Sequence, residues 1–274
     1  LTHEASHRQI LASGKANDWI GRILATLFVG VSYAWWMNKH TRHHGNPNKV
    51  GKDPDLAPDP PIVMLEEDAA STRGLHAWFV RRQGWLFFPL LPLFGISLHA
   101  ASFRGLARPN VAKRWVEIAF IAVRLAAYLF VLFWLMPVGL AFAFLGVQLA
   151  VFGVYLGTAF APNHIGMRIV PKDLKLDFLD KQVSTARNVS GGWWCTLLMG
   201  GLNYQIEHHL FPAMSRLHLR RARTLVKEQC LQSGIEYVEE PLPVALGHVV
   251  RHLNKVGLSA PLEFSCPTAS RMGR

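Results

Sequence analysis

Residues 138–161 run for 24 positions without a charge, and Gln148 is their only side-chain amide. A hydrocarbon layer about 30 Å thick is crossed by roughly 20 apolar residues in a helix. Backbone N–H and C=O groups find no water in lipid, so they must pair within the segment. This run therefore commits the chain to a membrane and that part of it to a helix. Residues 115–136 form a second such run, with Glu117 near one end and Arg124 inside. A tight turn around Pro137 and Gly139 joins the two as a helical hairpin. Two further apolar stretches cover residues 19–37, with Arg22 near the start, and residues 84–103, interrupted by Pro89 and Pro92. The fold class expected is all-α, an integral membrane helical bundle.

Three histidine clusters lie beside these stretches: His3-Glu4-Ala5-Ser6-His7, His40-Thr41-Arg42-His43-His44 and Gln205-Ile206-Glu207-His208-His209. Offsets of three and four residues share one helical face, within an arc of roughly 100°. Seven of the 13 histidines sit in the clusters. Imidazole is a common ligand of zinc, iron and copper, and seven exceed what one four-coordinate ion needs. The arithmetic predicts a two-metal site at a membrane surface. Asn163-His164 falls where the hairpin returns, so an eighth imidazole joins the same side. Two ions would then have about four nitrogens each. The plainer readings are a solvated basic patch at His40–His44, beside Lys39 and Arg42, and a helix-end residue at His164. His76, His99, His218, His248 and His252 are isolated and read as structural or solvated.

If the clusters serve one site, they share one side of the membrane. One apolar stretch separates His7 from His40, so residues 19–37 are expected to be interfacial or re-entrant. Three stretches separate His44 from Gln205, and an even number must cross. The hairpin supplies two, which leaves residues 84–103, preceded by Arg81 and Arg82, at the membrane surface. Lys113 and Arg114 precede the hairpin, and Arg168, Lys172 and Lys175 follow it, which places its ends and the site on the cytoplasmic face. Residues 45–70 and 166–192 read as loops from turn chemistry such as Asp53-Pro54-Asp55.

The net charge of +11 comes from Lys and Arg lying between apolar runs. That is the positive-inside pattern, so nucleic acid is not the expected partner. Anionic headgroups or an acidic protein suit it better. Cys195, Cys230 and Cys266 form no CxxC pair, which excludes a zinc ribbon or a disulfide framework.

The order His-x3-His, His-x2-His-His, Gln-x2-His-His, with the string Asn203-Tyr204-Gln205-Ile206-Glu207-His208-His209-Leu210-Phe211-Pro212, resembles the acyl-lipid branch of the membrane fatty acid desaturase family. The resemblance runs from Leu1 to about Leu219. It implies a non-haem di-iron centre of two iron ions at the cytoplasmic mouth of a four-helix membrane domain. The ligand set it implies is His3, His7, His40, His43, His44, His164, His208 and His209. Gln205 is expected to act as a ligand or hold a water, with Asn163 beside it. The family carries two membrane helices ahead of the first cluster. Residues 1–274 accordingly read as one desaturase domain with its N-terminal part missing and residues 225–274 as a cytoplasmic tail. An acyl chain of membrane lipid is the implied substrate. Electrons would come from a separate donor of ferredoxin or cytochrome b5 type, which the basic surface suits. Many eukaryotic relatives in the family carry a fused cytochrome b5 domain with a His-Pro-Gly-Gly motif, and that motif does not occur in these residues.

Cleaving a C–H bond of an unactivated methylene gives acid–base groups nothing to act on, so a redox metal is needed. Glu4, Glu207, Asp53 and Asp55 are candidates to hydrogen-bond the far ring nitrogens and fix their tautomers. A di-iron hydroxylase or ketolase would show the same clusters. A membrane zinc protease would use only His3-Glu4-His7, in the His-Glu-x-x-His arrangement.

Overall fold

The structure, a computed structural model, describes residues 1–58 and 61–261. Asp59, Pro60 and the tail beyond 261, Cys266 included, lie outside the described residues.

Helix α1 (Thr2–Ser6) leads to α2 (Gly14–Ile23), whose Ser13 cap accepts from the Ala16 N–H. The chain continues as a π-helical turn, Leu24–Val29, and stops at Gly30 with φ of 90°. That left-handed backbone calls for glycine at this position. Ser32 then caps α3 (Tyr33–Gly45). The two arms are bent by 115°. Their outer ends meet again, with His7 Nε2 lying 2.7 Å from His40 Nε2. A segment that starts and finishes at one place enters and leaves on one side, which is the geometry of a re-entrant loop.

Two short helices, α4 (Glu66–Ser71) and α5 (Gly74–Val80), precede α6 (Gln83–Ala107). Then come α7 (Arg114–Leu135) and α8 (Val138–His164). Helices α6, α7 and α8 are each long and apolar enough to cross a membrane. Pro89 and Pro92 sit inside α6 without ending it. The proline-bearing stretch is thus a regular helix, more continuous than the sequence suggests, because α8 packs directly on its backbone. A Cβ at Gly95 would lie 2.5 Å from the Leu149 carbonyl oxygen, and one at Gly153 would lie 2.3 Å from that of Leu91. Gly95 meets Gly153 while Leu91 meets Gly157, so the two helices run antiparallel. His44 Nε2 and His208 Nε2 lie 3.1 Å apart, so an even number of complete crossings separates them. At most two of the three long helices therefore cross completely.

A set of buried polar groups joins α7 and α6 to the start of α3. Glu117, fully buried on α7, accepts from Arg22 Nε (2.9 Å), Ser32 Oγ (2.5 Å) and the Ala34 N–H (3.1 Å). A carboxylate thereby faces the N-terminus of α3, where the helix dipole favours negative charge. Ser102 Oγ on α6 accepts from the Ser32 N–H at 2.6 Å. Arg124, costly inside a span, turns toward protein: its Nε donates to the Phe28 carbonyl at 3.4 Å and its guanidinium lies over the Tyr128 ring.

Beyond α8 the chain forms α9 (Phe178–Ser184), β1 (Asn188–Ser190), α10 (Gly192–Leu198) and α11 (Gln205–Leu210). It closes with α12 (Arg216–Ser233), β2 (Glu239–Pro241) and α13 (Leu242–Leu258). Strand β1 pairs in parallel with β2, Asn188 opposite Glu239. Residues 225–274, expected as a tail, instead enter the packed fold as far as they are described. Val249 and Leu253 on one face of α13 bury against Phe87 and Leu91 of α6. The spacing of Ala245, Val249, Leu253 and Val256 is the helical stripe that makes this possible.

Replacing Glu117 with alanine would leave the buried Arg22 without its partner and strip the N-terminus of α3. The expected loss is about 3–5 kcal/mol, read as a lower melting temperature in detergent. An unchanged melting temperature would show that this pair does not hold the loop.

Candidate metal centre

Four segments bring eight imidazoles together: α1 and the residue after it (His3, His7), α3 (His40, His43, His44), the last residue of α8 (His164) and α11 (His208, His209). Adjacent helical residues point about 100° apart, whereas residues four apart differ by about 40°. Each His-His doublet must therefore divide. His44 and His208 join His3, His7 and His40, while His43 and His209 join His164. Within each group the ligand nitrogens lie within 4.8 Å of one another. The structure thus has two points of convergence, with five imidazoles and three, where the sequence suggested four and four. Gln205 Nε2 lies 2.9 Å from His164 Nε2, so in this orientation the amide turns an N–H donor, not a ligand oxygen, toward the smaller group.

The inward nitrogens crowd one another. Besides the His7–His40 and His44–His208 contacts, His43 Nε2 lies 3.3 Å from His164 Nε2. A pair of imidazole nitrogens shares at most one proton. Nε2 of His3 and of His209 is buried with no hydrogen-bond partner among the described residues. Burial, then the neighbouring His7, pulls the His3 pKa down to about 3, and burial alone brings His7 to about 4. His208 and His209 are lowered well below the usual histidine value by burial, and then by adjacent imidazoles. These rings are neutral at pH 7, with lone pairs aimed inward. A convergent, all-nitrogen donor set fits metal ions, and the two orphaned Nε2 atoms are what a metal would satisfy.

Around the rings stands an outer layer. His43 Nδ1 lies 3.0 Å from Asp53 Oδ2 and 3.2 Å from Asp55 Oδ2, as the sequence suggested for these carboxylates. Asp53 is itself pinned by the Asn48 and Asp55 N–H groups, at 2.7 and 2.9 Å. Glu4 and Glu207 do not reach an imidazole. Glu4 pairs with Arg216 at 3.0 Å. Glu207 points to the opposite face of α11, where it accepts from Asn188 Nδ2 (2.8 Å) and the Tyr237 hydroxyl (2.7 Å). Burial raises the pKa of Glu207, and the bonds from Asn188 and Tyr237 oppose that rise. Asn163, fully buried, donates through Nδ2 to Gln205 Oε1 at 3.2 Å and so orients that amide. Trp36 stacks on His40 and donates to Ser6 Oγ at 2.9 Å, tying the first cluster to the second.

Sequence reasoning missed Gln182, Thr185, Asn188 and Tyr237. His209 Nδ1 faces Gln182 Oε1 at 3.1 Å, and His164 Nδ1 donates to the Thr185 carbonyl at 2.9 Å. These are single polar residues in stretches without a pattern, and only their place in space marks them. His99 and His252 stay apart from the cluster: His99 bonds the carbonyls of Gly95 and Val29, and His252 that of Met64.

Three helices long and apolar enough to cross a membrane, with three histidine clusters gathered beside the end of one of them, define a membrane protein of the clustered-histidine class. The chain belongs to the fatty acid desaturase family, whose model matches residues 1–241. It is similar to fatty acid desaturase 3 of Bos taurus, 28% identical over 259 residues, covering 94% of this chain and 58% of that protein. It is also similar to an acyl-lipid (9-3)-desaturase of Borago officinalis, 28% identical, covering 95% and 61% respectively. An acyl-lipid (8-3)-desaturase of Rebecca salina is 31% identical, with 86% of this chain and 56% of that protein covered. The chain thus spans a little over half the length of these relatives. No solved structure matches.

Asn188 supports α11 twice, through Glu207 and through its own Oδ1, which accepts from the Ile206 N–H at 2.9 Å. Asn188→Ala leaves a buried carboxyl and a buried N–H short of partners. The expected cost is about 1–3 kcal/mol for each group, measured by thermal unfolding. Wild-type stability in this variant would remove Asn188 from the support of the third cluster.

Proposed function

We propose that this chain forms the catalytic part of an O2-dependent acyl-lipid desaturase that works with a non-haem di-iron centre. The observation that carries the reading is the division of both His-His doublets between two points of convergence. One metal position needs no such division, and a zinc protease needs neither doublet. That alternative also requires Glu4 at the metal, whereas Glu4 is held by Arg216.

His3, His7, His40, His44 and His208 would hold one ion, and His43, His164 and His209 the other, with Gln205 beside it. Bound there, two irons supply the one-electron redox chemistry with O2 that an unactivated methylene demands. The chain's own contribution is preparation. Burial keeps His3, His7, His208 and His209 neutral, whereas at His43 burial is outweighed by the hydrogen bond to Asp53 and the charges of Asp55 and Asp53, which raise the pKa. Asp53 and Asp55 at His43 Nδ1, Thr185 at His164 and Gln182 at His209 hold the ring angles. In the overall reaction a –CH2–CH2– unit, O2, two electrons and two protons become –CH=CH– and two waters. The electrons come from a separate protein of ferredoxin or cytochrome b5 type, and the basic surface of the chain suits an acidic donor. Lys113, Arg114, Arg168, Lys172 and Lys175 favour the cytoplasmic side for the site.

The metal content expected is two irons per chain by elemental analysis, and removing them with a chelator should abolish turnover. One tightly held zinc and no iron would end the di-iron reading. Lipids from cells expressing the protein should include a product two hydrogens lighter than its precursor. A product one oxygen heavier, labelled from isotopic O2, would assign the chain to a hydroxylase instead. Alanine at His40, His43, His44, His164, His208 or His209 should abolish product formation, whereas His252→Ala should leave it intact. Full turnover in His208→Ala would detach the third cluster from the site.

A further inference from the structure

The two groups of imidazoles differ in what stands behind them. In the group His43, His164 and His209, every ring has an acceptor at Nδ1. These are the Asp53 carboxylate at 3.0 Å, the Thr185 carbonyl at 2.9 Å and the Gln182 amide oxygen at 3.1 Å. Among the described residues, no such partner stands at Nδ1 of His3, His7, His40, His44 or His208, and Nδ1 of His44 is buried without one.

The surroundings of Gln182 decide which way its amide points. Gln182 is buried, and its Nε2 donates to the His44 carbonyl at 3.0 Å. A carbonyl only accepts, so the atom facing His209 must be Oε1. His209 Nδ1 must then be the donor, and its Nε2 keeps a lone pair directed inward. That Nε2 is one of the buried nitrogens with no partner. The Thr185 carbonyl imposes the same tautomer on His164, and the Asp53 carboxylate the same on His43.

One side chain on α9 therefore links the last residue of the second cluster, through its backbone, to the last imidazole of the third. We propose that Gln182 is a positioning residue for His209, and so for one of the two metal positions. It sets the tautomer and angle of His209, so the His43/His164/His209 position depends on α9 through a ring nitrogen, whereas the five-imidazole position meets Gln182 only at the backbone carbonyl of His44. The inference rests on the two-metal reading above. Without the acceptor, His209 can take the other tautomer, in which a proton occupies Nε2 and blocks it as a ligand. His43 and His164 keep their own acceptors, so the loss of a fixed tautomer falls on one of three ligands in that position, while in the other only the backbone carbonyl of His44 loses a donor and no ring loses its partner.

The test is anaerobic titration of metal-stripped protein with Co2+, followed by calorimetry and visible absorption. Wild type should take two ions with distinguishable affinities and spectra. Gln182→Met keeps the length of the side chain but offers no amide oxygen. It should weaken one position by roughly 10–100-fold and leave the other unchanged. Gln182→Glu, when protonated, again donates to the His44 carbonyl and accepts from His209, and should restore both positions. His3→Ala should weaken the position that Gln182→Met spares. If Gln182→Met loses both positions equally, or neither, the proposal fails while the two-metal reading stands. A metal-free Gln182→Met protein that melts well below wild type and loses both ions would mark Gln182 as merely structural, which also overturns the proposal. Wild type binding fewer than two ions would instead overturn the two-metal reading itself.

Discussion

Eight imidazoles withdrawn from water, with Nε2 atoms turned toward one another, would be costly without something to share their lone pairs. Most of the architecture can be read as what that arrangement requires. Four chain segments far apart in sequence must arrive at one place on one side of a membrane. Each must arrive with its helix rotated so that one ring of a doublet serves each point of convergence. The rings must also be held at their far nitrogens, or the lone pairs would wander. Asp53, Thr185 and Gln182 do this for one group.

The membrane limits how those segments can be supplied. Because the first and second clusters touch, the apolar stretch between them has to turn back. The π-helical turn, Gly30 and the Ser32 cap make that turn, and Glu117 with Arg22 seats it against α7. Because the second and third clusters touch, an even number of crossings lies between them. The close packing of α6 on α8 through Gly95 and Gly153 answers a second need. In lipid there is little hydrophobic drive between helices, so near approach of backbones supplies the attraction.

The third cluster stands on a different foundation. Helix α11 has six residues, too few to be stable alone. It is fixed from behind by Asn188 on β1 and Tyr237 just ahead of β2, both bonded to Glu207. Burial pushes the Tyr237 hydroxyl well above its usual pKa, with the Glu207 carboxyl adding to the effect. The phenol therefore stays protonated and donates. Residues with no metal-binding character thus decide whether the rings of His208 and His209 point inward.

The clusters, the hairpin and the re-entrant stretch were legible in the sequence because each follows from a local period. Histidines at offsets of three and four share a helical face, an uncharged run of 24 residues has to be a membrane helix, and parity then constrains the loop between His7 and His40. The same periodicity even implies that adjacent histidines diverge. What it could not supply is the account of which ring joins which group, because that depends on how four helices are rotated relative to one another. Nor could it place Glu4 and Glu207, which share a cluster with the imidazoles but face Arg216 and Tyr237. The continuity of α6 through two prolines, and the packing of α13 into the fold, came from neighbouring helices rather than from propensity. Gln182 and Asn188 lie 138 or more residues from the histidines of the first and second clusters and 20 or more from the doublet they support. A single amide has no period, so only the tertiary structure could decide that it meets an imidazole.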